Sequence, residues 1–457
     1  MKTKPKVLSS FALAMISVTA IVNLRNLPIM AGVGLSAILF YLLAALVFLI
    51  PSAFVSAELA STWPEAGGVY LWVQKAFGNR LGLFAIWSEW FNNVIGFPAT
   101  LSFIAATVLY SFLPHIEQHK IILLLLILVI LWSCTLFNFL GVKASSRLNI
   151  FGALVGSIIP SILIILLAVF WICSHHPIQL NLNWQTIFPD LKIQHFVFFL
   201  GVLLGYSGMQ ITAFHASDVE NPQRNFPRAI ILATLIILLM TMLGSLAIAL
   251  VVPAKNLNLV TGVMEGFSAF FKAFHLAWAV PVLALLLAVS GISTLTAWLL
   301  APARGLALAA QQGMFPKWCA YENKKSSPTH LLIIQAIIAT LLAFLFLVAS
   351  SISEAFWLLV VLTGQFTLVM YILIFASSLR LRYKYPNVPR PFKIPGGKMT
   401  LTVIISISIL VCAAGVLLGY FPPDHLKIHS LFHYELILMT GDLFYILLPF
   451  FLARQKK

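Results

Sequence analysis

The chain has 457 residues, of which 61% are hydrophobic and 9% are charged, and its formal net charge at pH 7 is +15. A soluble globular domain carries about 25% charged residues, and a water-soluble fold of this composition would expose large apolar patches. The composition excludes a soluble protein and favours a polytopic, all-α membrane protein. The apolar runs do not alternate with polar residues, which excludes a membrane β-barrel.

Twelve apolar segments are long enough to cross a bilayer as helices, which requires roughly 20 residues each. The approximate limits of these predicted spans are 7–29, 35–61, 80–113, 120–140, 147–173, 193–216, 226–252, 275–308, 330–350, 354–381, 399–420 and 432–453. We interpret the first span as a retained helix, because no small-residue cleavage site follows it. The chain 1–457 is therefore expected to form a single transmembrane domain.

The basic residues indicate the orientation of these spans. With the N-terminus placed in the cytoplasm, 22 of the 28 Lys and Arg residues fall on the cytoplasmic side and 5 on the outer side. Cytoplasmic loops of membrane proteins carry such an excess of Lys and Arg. The pattern predicts that both termini are cytoplasmic, and it explains the basic net charge without a nucleic-acid partner.

The first predicted span is interrupted by polar residues within 21–34. Asn23, Arg25, Asn26 and Pro28 follow each other closely before apolar sequence resumes. A charge at membrane depth costs roughly 2.5–3.5 kcal/mol, and proline removes a helical hydrogen bond. Irregular backbone at this depth persists only where it is buried in protein or lines a wet cavity. We expect a broken helix; the alternative is that the span ends at Asn23 and the polar residues form an outer loop.

The third predicted span carries a polar stripe. Glu89, Asn92, Asn93 and Gly96 are three or four positions apart, so they share one helix face. Polar residues on a membrane helix usually face the interior of the bundle. The stripe therefore indicates either substrate contacts or hydrogen bonds between helices, and Glu89 is the candidate acid for proton binding.

A second interruption lies in the sixth predicted span, where Gly-Tyr-Ser-Gly at 205–208 precedes Gln210. Glycines weaken a helix, although closely packed membrane helices also use them. The two interruptions occupy the first spans of two five-span sets, 7–173 and 193–381. Matched interruptions of this kind indicate inverted repeats with a binding site near the middle of the membrane. The last two spans, within 399–453, would then be additional helices.

Sequence signatures of catalysis and of cofactor binding are absent. The chain has no P-loop and no GxSxG, HExxH or CxxC pattern, and its four cysteines are too far apart for a metal site or a disulfide framework. No loop is long enough to hold the nucleotide-binding domain of an ATP-driven pump. We expect no enzyme activity, no metal and no cofactor.

Several motifs resemble the amino acid–polyamine–organocation (APC) superfamily of transporters, and in order they cover nearly the whole chain. They are WPEAGGVYLWVQKAFG at 63–78, GYSG at 205–208, ENPQRNFPRA at 220–229, APARG at 301–305 and FKIPGGK at 392–398. The resemblance implies an APC/LeuT-type fold of two inverted five-helix repeats plus two extra helices. It also implies amino-acid exchange by alternating access, with the backbone of broken helices 1 and 6 binding the substrate.

Within this superfamily the chain resembles the bacterial glutamate/GABA antiporter branch most. The matching segments are IPSAFVSAELA at 50–60, LNLVTGVMEGF at 257–267 and FPPD at 421–424. The Gly-Ser-Gly found in helix 1 of many relatives has no counterpart here. Gln210 and Thr294 stand where this branch has acidic residues in helices 6 and 8, so the resemblance leaves the transported amino acid open.

The residues and the resemblance together predict a main-chain clamp at the two interruptions, surrounded by polar side chains. The predicted substrate-binding residues are Ile21, Val22, Asn23, Leu24, Arg25, Glu89, Asn92, Asn93, Gly205, Tyr206, Ser207, Gly208, Gln210, Thr294 and Gln365. Arg25 is expected either to bind an acidic side chain of the substrate or to pair with an acid in an outer gate.

We therefore expect a secondary active amino-acid transporter of the bacterial inner membrane that works as an exchanger. The alternative is a proton-coupled symporter of neutral or cationic amino acids; a channel or a non-transporting sensor is a more remote one. The expected partners are a small amino acid, the lipid bilayer and, if transport is proton-coupled, protons. The protein is expected to be a monomer or a homodimer.

Overall fold

The computed structural model describes residues 9–63, 68–112, 119–141, 152, 154–188, 193–210, 222–423 and 430–452. The regular structure in these ranges is helical, as the long apolar runs predict. The helices of the first half are α1 (Ser10–Ile21), α2 (Leu27–Ala31), α3 (Ser36–Thr62), α4 (Gly68–Phe77), α5 (Asn79–Tyr110), α6 (Lys120–Asn138) and α7 (Ile159–Cys173).

The second half of the chain is also helical in the described ranges. Its helices are α8 (Ile193–Gly205), α9 (Pro222–Val251), α10 (Gly262–Ala273), α11 (Ala279–Gln311), α12 (Thr329–Ala343), α13 (Ile352–Lys384), α14 (Gly397–Leu418) and α15 (Leu431–Leu452). Two short π-helical turns, Ala45–Leu49 within α3 and Leu154–Ile158 before α7, are the main departures from α geometry in the long helices.

Ten helices in the described ranges are long and apolar enough to cross a membrane, so the chain is an integral membrane protein. They correspond to ten of the twelve predicted spans. The remaining two are the spans in which the sequence predicts interruptions. The first span is bent by 45° between α1 and the segment Leu24–Ala31, and the sixth appears as the short apolar helix Phe196–Gly205. Residues 211–216 of the sixth span and 147–151 of the fifth lie outside the described residues.

α5 and α13 form the centre of the bundle. α5 packs against α11 and α13, and α13 packs in turn against α8 and α14. In the most apolar 18-residue window of α13, 83% of the residues are buried, against 22% in α15. α15 and α14 therefore lie at the periphery, where their apolar side chains can face lipid, while α1 and α2 pack together on α9.

Glu58, near the end of α3, shows how a carboxylate is accommodated inside this bundle. It forms ion pairs with Arg382 and with Arg390, and it accepts the backbone N–H of Ile394 at 2.9 Å. A buried charge is tolerated when it is paired and hydrogen-bonded in this way. The cluster fastens the connector between α13 and α14 to α3.

Candidate functional site

The first interruption separates α1 from α2. α1 ends at Ile21, Asn23 has an extended backbone (φ −127°, ψ 116°), and a 3₁₀ turn covers Leu24–Asn26. The Asn23 side chain accepts a hydrogen bond from the Arg25 backbone N–H at 3.1 Å, so it caps this turn. α2 is buried along its whole length. The polar residues therefore break a buried helix, and the alternative of an exposed outer loop is wrong.

Arg25 links this interruption to the central helix α5. Its guanidinium donates a hydrogen bond to Thr100 Oγ1, and its Nε donates to Asn26 Oδ1 at 3.4 Å. No carboxylate in the described ranges forms an ion pair with Arg25. The predicted pairing with an acid is therefore not found in that part of the chain. A guanidinium without a counter-charge is suited to bind a carboxylate.

The second interruption follows α8. The helix ends at Gly205, and Gly208 has φ +128°, a conformation that glycine adopts readily and other residues rarely do. The Gly208 N–H donates to Tyr371 Oη at 2.8 Å, and the Tyr371 hydroxyl donates to Gln210 Oε1 at 2.5 Å. Tyr371 of α13 is fully buried. One phenol thus holds both the backbone and a side chain of the broken segment.

The two interruptions meet at a cavity of about 110 Å³. It receives residues from α1, α5, α8, α11 and α13 and from both interruptions. The predicted residues that line it are Ile21, Asn23, Arg25, Glu89, Asn92, Asn93, Gly205, Ser207, Gln210 and Thr294. This volume exceeds that of a single water, and the lining combines apolar walls with a few polar groups, as small-molecule sites do.

The polar stripe on α5 makes a hydrogen bond between helices and also lines the cavity. Asn92 donates to Thr367 Oγ1 of α13 at 3.2 Å, which is a hydrogen bond between helices. Asn93 donates to the Glu89 backbone carbonyl at 2.6 Å and to Asn92 Oδ1 at 2.8 Å. Glu89, Asn92 and Asn93 also line the cavity. The Glu89 carboxylate makes no hydrogen bond with a described residue, although its side chain is only 4% exposed.

The cavity also has lining residues outside the predicted set. They are Asn26, Gly96, Phe97, Thr100, Leu204, Leu295, Trp298, Thr363, Thr367 and Met370. The sequence spacing could have predicted two of them. Thr100 follows Gly96 by four positions and so extends the polar stripe of α5, and Trp298 lies one turn after Thr294. A Cβ at Gly96 would lie 3.2 Å from the Thr363 side chain, so this glycine allows α5 and α13 to approach closely.

Five of the predicted residues lie off the cavity. Val22 and Leu24 line a smaller neighbouring cavity with Ser157, and Tyr206 lines a third. The N–H of Gly208 is bound to Tyr371. Gln365 lies on another face of α13, where its Nε2 donates to the Val416 carbonyl of α14 at 3.0 Å. The structure therefore groups the residues near the two breaks but places Gln365 away from them.

Many secondary transporters are bundles of membrane helices with two interrupted segments around a polar cavity. Residues 7–441 of the chain match the family model described as amino acid permease. The chain belongs to this family, which is part of the APC superfamily.

Individual relatives agree with this assignment. The chain is 39% identical to an uncharacterized transporter of Legionella pneumophila, over 100% of this chain and 98% of that protein. It is 30% identical to a glutamate/gamma-aminobutyrate antiporter of Lactococcus lactis, over 97% and 90%. A probable agmatine/putrescine antiporter of the same species is 22% identical over 87% and 84%. The resemblance to the APC superfamily and to its antiporters is confirmed, and these relatives point to a transporter and not to an enzyme.

Proposed function

We propose that this protein is a secondary active amino-acid exchanger of the bacterial inner membrane that binds its substrate in the central cavity. The observation that carries the proposal is the position of the cavity, between the break after α1 and the break after α8. At such breaks the last carbonyls of one helix and the first N–H groups of the next lack partners within their helices. These groups suit an ammonium and a carboxylate respectively, which are the two charges common to amino acids.

In the first break, Arg25 and Asn23 are the side chains that would select the substrate. The Arg25 guanidinium lines the cavity and has no described counter-charge, so it is our candidate for a substrate carboxylate. Asn23, Asn92 and Gln210 offer carboxamides that can hydrogen-bond the rest of an amino acid. The lining has one described cation, Arg25, and one described acid, Glu89. With Glu89 ionised these two charges sum to zero, so the lining suits a zwitterionic amino acid.

The proposed chain crosses the membrane twelve times. The two interrupted segments would each cross the membrane once, giving two inverted repeats, 7–173 and 193–381, and two peripheral helices, α14 and α15. The excess of Lys and Arg on one side supports cytoplasmic termini. Alternating access would then consist of the interrupted segments moving against α5 and α13 around a fixed site.

Exchange is preferred to proton-driven symport because two of the relatives are named antiporters. The test uses purified protein in liposomes that are preloaded with one unlabelled amino acid at a time. We expect labelled amino acid to enter only when a suitable amino acid is present inside. Accumulation in empty vesicles under a pH gradient would show symport instead, and flux that does not saturate would show a channel.

Gly205 offers a direct test of the cavity. A Cβ at this glycine would have its nearest contact at 3.5 Å, the Asn26 Nδ2, so a larger side chain can enter the cavity without a backbone clash. We expect Gly205→Val to lower exchange at least tenfold while the protein remains monodisperse. Gly32→Val is the matched control, because a Cβ at Gly32 also meets only ordinary contacts, at 3.8 Å, and Gly32 does not line the cavity. Equal exchange by the two variants would contradict the proposed site.

A further inference from the structure

Glu89 differs from Glu58 and Glu354, the other two acids buried in the described part of the chain, and from the partly buried Glu265 and Asp442. Glu58 has two arginine partners, Glu354 accepts hydrogen bonds from the Ser350 N–H and hydroxyl, and Asp442 accepts one from Tyr420. Glu265 accepts hydrogen bonds from Thr261 and from the Asn258 N–H. Glu89 has no donor among the described residues, is 96% buried and lines the central cavity.

Few charged or titratable groups lie near Glu89. Arg25, across the cavity, donates to Thr100 and Asn26. On α13, the hydroxyl of Tyr371 lies within electrostatic reach of Glu89, but its proton is donated to Gln210.

Other titratable groups lie on the helices packed against α5. Those hydrogen-bonded or paired elsewhere are Tyr434, Asp442 and Tyr445 on α15, Tyr70 on α4, Lys120 on α6, and Glu354, Arg382 and Lys384 on α13. Arg304 on α11, His330 on α12, Arg380 and Tyr383 on α13 and His433 on α15 are exposed, Lys75 on α4 and Glu435 on α15 are partly buried, and Cys134 on α6 is a buried thiol. None of these groups lines the cavity. The cavity therefore holds one basic and one acidic side chain from the described residues, and they do not form an ion pair with each other.

We propose that Glu89 carries a proton whose presence depends on the charge of the bound substrate. An acidic amino acid would cross the membrane with a proton on Glu89, and a neutral amino acid would cross with Glu89 ionised. This inference rests on the proposed function. It goes further, because it makes exchange between the two kinds of substrate a proton-moving reaction.

The physical reason is the charge of the occupied cavity. Arg25 and ionised Glu89 sum to zero, and a zwitterion leaves that sum unchanged. An acidic substrate adds a negative charge in a space with little water, where repulsion between carboxylates is strong. Adding a proton to Glu89 removes the repulsion and restores the sum to zero. Because the coupling is reciprocal, the proton also raises the affinity for the acidic substrate.

The proton balance is simple. The carboxylate takes the proton from the aqueous compartment to which the cavity is open when the acidic amino acid binds. It releases the proton on the other side when that amino acid leaves and a neutral one binds for the return. One cycle therefore moves one acidic amino acid and one proton in one direction and one neutral amino acid in the other, with no net charge transferred.

The test compares L-glutamate with L-glutamine, which have nearly the same shape and differ by one charge. Liposomes contain the wild-type protein, internal glutamine and a trapped pH dye; labelled glutamate is then added outside. We expect about one proton to enter per glutamate, and none during glutamine self-exchange. Glutamate self-exchange should also rise as the pH falls from 7.5 to 5.5, a range in which the glutamate side chain, with a pKa of about 4.3 in solution, stays ionised.

Two variants locate the proton. In Glu89→Gln we expect proton entry per glutamate to fall below about a tenth of the wild-type value and the pH dependence of glutamate exchange to disappear. Asp442→Asn is the matched control, since it removes a partly buried acid that is bonded to Tyr420 outside the cavity, and it should keep both properties. If Glu89→Gln does not fold, Glu89→Asp is tested in its place. This variant should keep proton entry with glutamate and shift the midpoint of the pH dependence of glutamate exchange. An unchanged pH dependence would contradict the inference.

The other outcomes are also decisive. Glutamate–glutamine exchange without proton entry in the wild type overturns the inference, as does proton entry that persists in Glu89→Gln. A folded Glu89→Gln protein that transports neither substrate at any pH would make Glu89 a substrate ligand and not a proton carrier. Exchange of neutral amino acids alone would overturn this inference but leave the proposed function standing, whereas the absence of counterflow with every amino acid would overturn the proposed function itself.

Discussion

The two interruptions face the same cavity but are built in different ways. In the first, the side chain of Asn23 caps the turn by accepting the Arg25 N–H, and Arg25 in turn contacts its neighbour Asn26. Among the described residues, which end at Gln210 on this side, the second has no such local cap at its glycine. Its Gly208 N–H and its Gln210 side chain are both bound by Tyr371, which comes from α13.

This difference separates two tasks. The first break carries the charge. The Asn23 side chain caps its irregular backbone, while Arg25 also donates to Thr100 of α5. The second break carries the conformational freedom, because Gly208 has φ +128°, and it depends on another helix for its shape. The two interruptions therefore do not use matched chemistry. Substitutions in the first break should act on binding, whereas the second break should respond to changes in α13.

The largest effect is expected from Arg25→Met, which removes the charge and keeps the length of the side chain. Removing one partner of a buried charge pair costs about 2–5 kcal/mol, and each 1.4 kcal/mol is about a factor of ten in affinity. We expect the apparent affinity for an acidic amino acid to fall roughly 30-fold or more, measured by counterflow. Arg25→Lys keeps the charge but loses the planar guanidinium fork. Its apparent affinity for an acidic amino acid should therefore lie between those of the wild type and Arg25→Met. Wild-type affinity in Arg25→Met would show that the first break does not bind the carboxylate.

Tyr371→Phe tests the dependence of the second break on α13. The substitution leaves the Gly208 N–H and the Gln210 side chain without their buried partner, and each such group costs about 1–3 kcal/mol. We expect a lower thermal midpoint and exchange reduced about tenfold. Tyr434→Phe is the matched control, because the Tyr434 hydroxyl is buried and donates to the Gly419 carbonyl at 2.8 Å, away from the cavity.

Tyr434→Phe should also lower the thermal midpoint, by less because one buried group and not two loses its partner, and it should leave exchange unchanged. If Tyr371→Phe is destabilised but exchanges as the wild type does, the phenol supports the fold and not the site. If both variants lose exchange equally, the loss reflects general destabilisation. Only a selective loss in Tyr371→Phe supports the view that the second break is shaped from outside.

Sequence alone predicted the elements whose signal is local. Apolar length predicted ten of the long helices, and the cluster around Asn23 and Arg25 predicted the first break. Helical spacing predicted that Glu89, Asn92 and Asn93 share a face, and all three line the cavity. These inferences hold because one helix period, or one charge at membrane depth, is enough to determine the outcome.

The remaining features depend on contacts distant in sequence. Tyr371 acts on Gly208 and Gln210, which lie 163 and 161 positions away along the chain. Its polarity predicts that Gln365 lies in the pocket, but α13 is buried on nearly all sides, so polarity does not indicate which neighbour a residue faces. The structure turns Gln365 towards α14. Packing between helices, which the periodicity of one helix does not encode, decides both cases.

Asn23→Ala tests whether the first break supports itself. The loss of a capping side chain costs about 0.5–2 kcal/mol, so we expect a lower thermal midpoint and exchange reduced about threefold to tenfold. Asn23→Ser keeps a capping oxygen and should recover most of the stability. A serine variant no better than the alanine variant would show that the cap is unimportant and that Asn23 acts only through the cavity.

The smallest effect is expected from Ser207→Ala in the second break. The Ser207 hydroxyl donates to the Leu204 carbonyl at 2.7 Å, a local bond at a partly buried position that also lines the cavity. A hydrogen bond of this kind contributes about 0.5–1.5 kcal/mol, and the carbonyl still receives the Ser207 N–H at 3.1 Å. We expect exchange within about threefold of the wild type, measured under the same conditions as Asn23→Ala.

Comparing Asn23→Ala with Ser207→Ala tests whether the two breaks are stabilised in different ways. If Tyr371 holds the second break, its own polar side chain at Ser207 is dispensable, while the first break needs Asn23. A Ser207→Ala variant that loses more exchange than Asn23→Ala would reverse this order. It would mean that the Ser207 hydroxyl contacts the substrate directly, since the backbone it leaves behind keeps its other hydrogen bonds. In that case both breaks would bind the substrate through side chains, and the contrast between them would lie only in how each is stabilised.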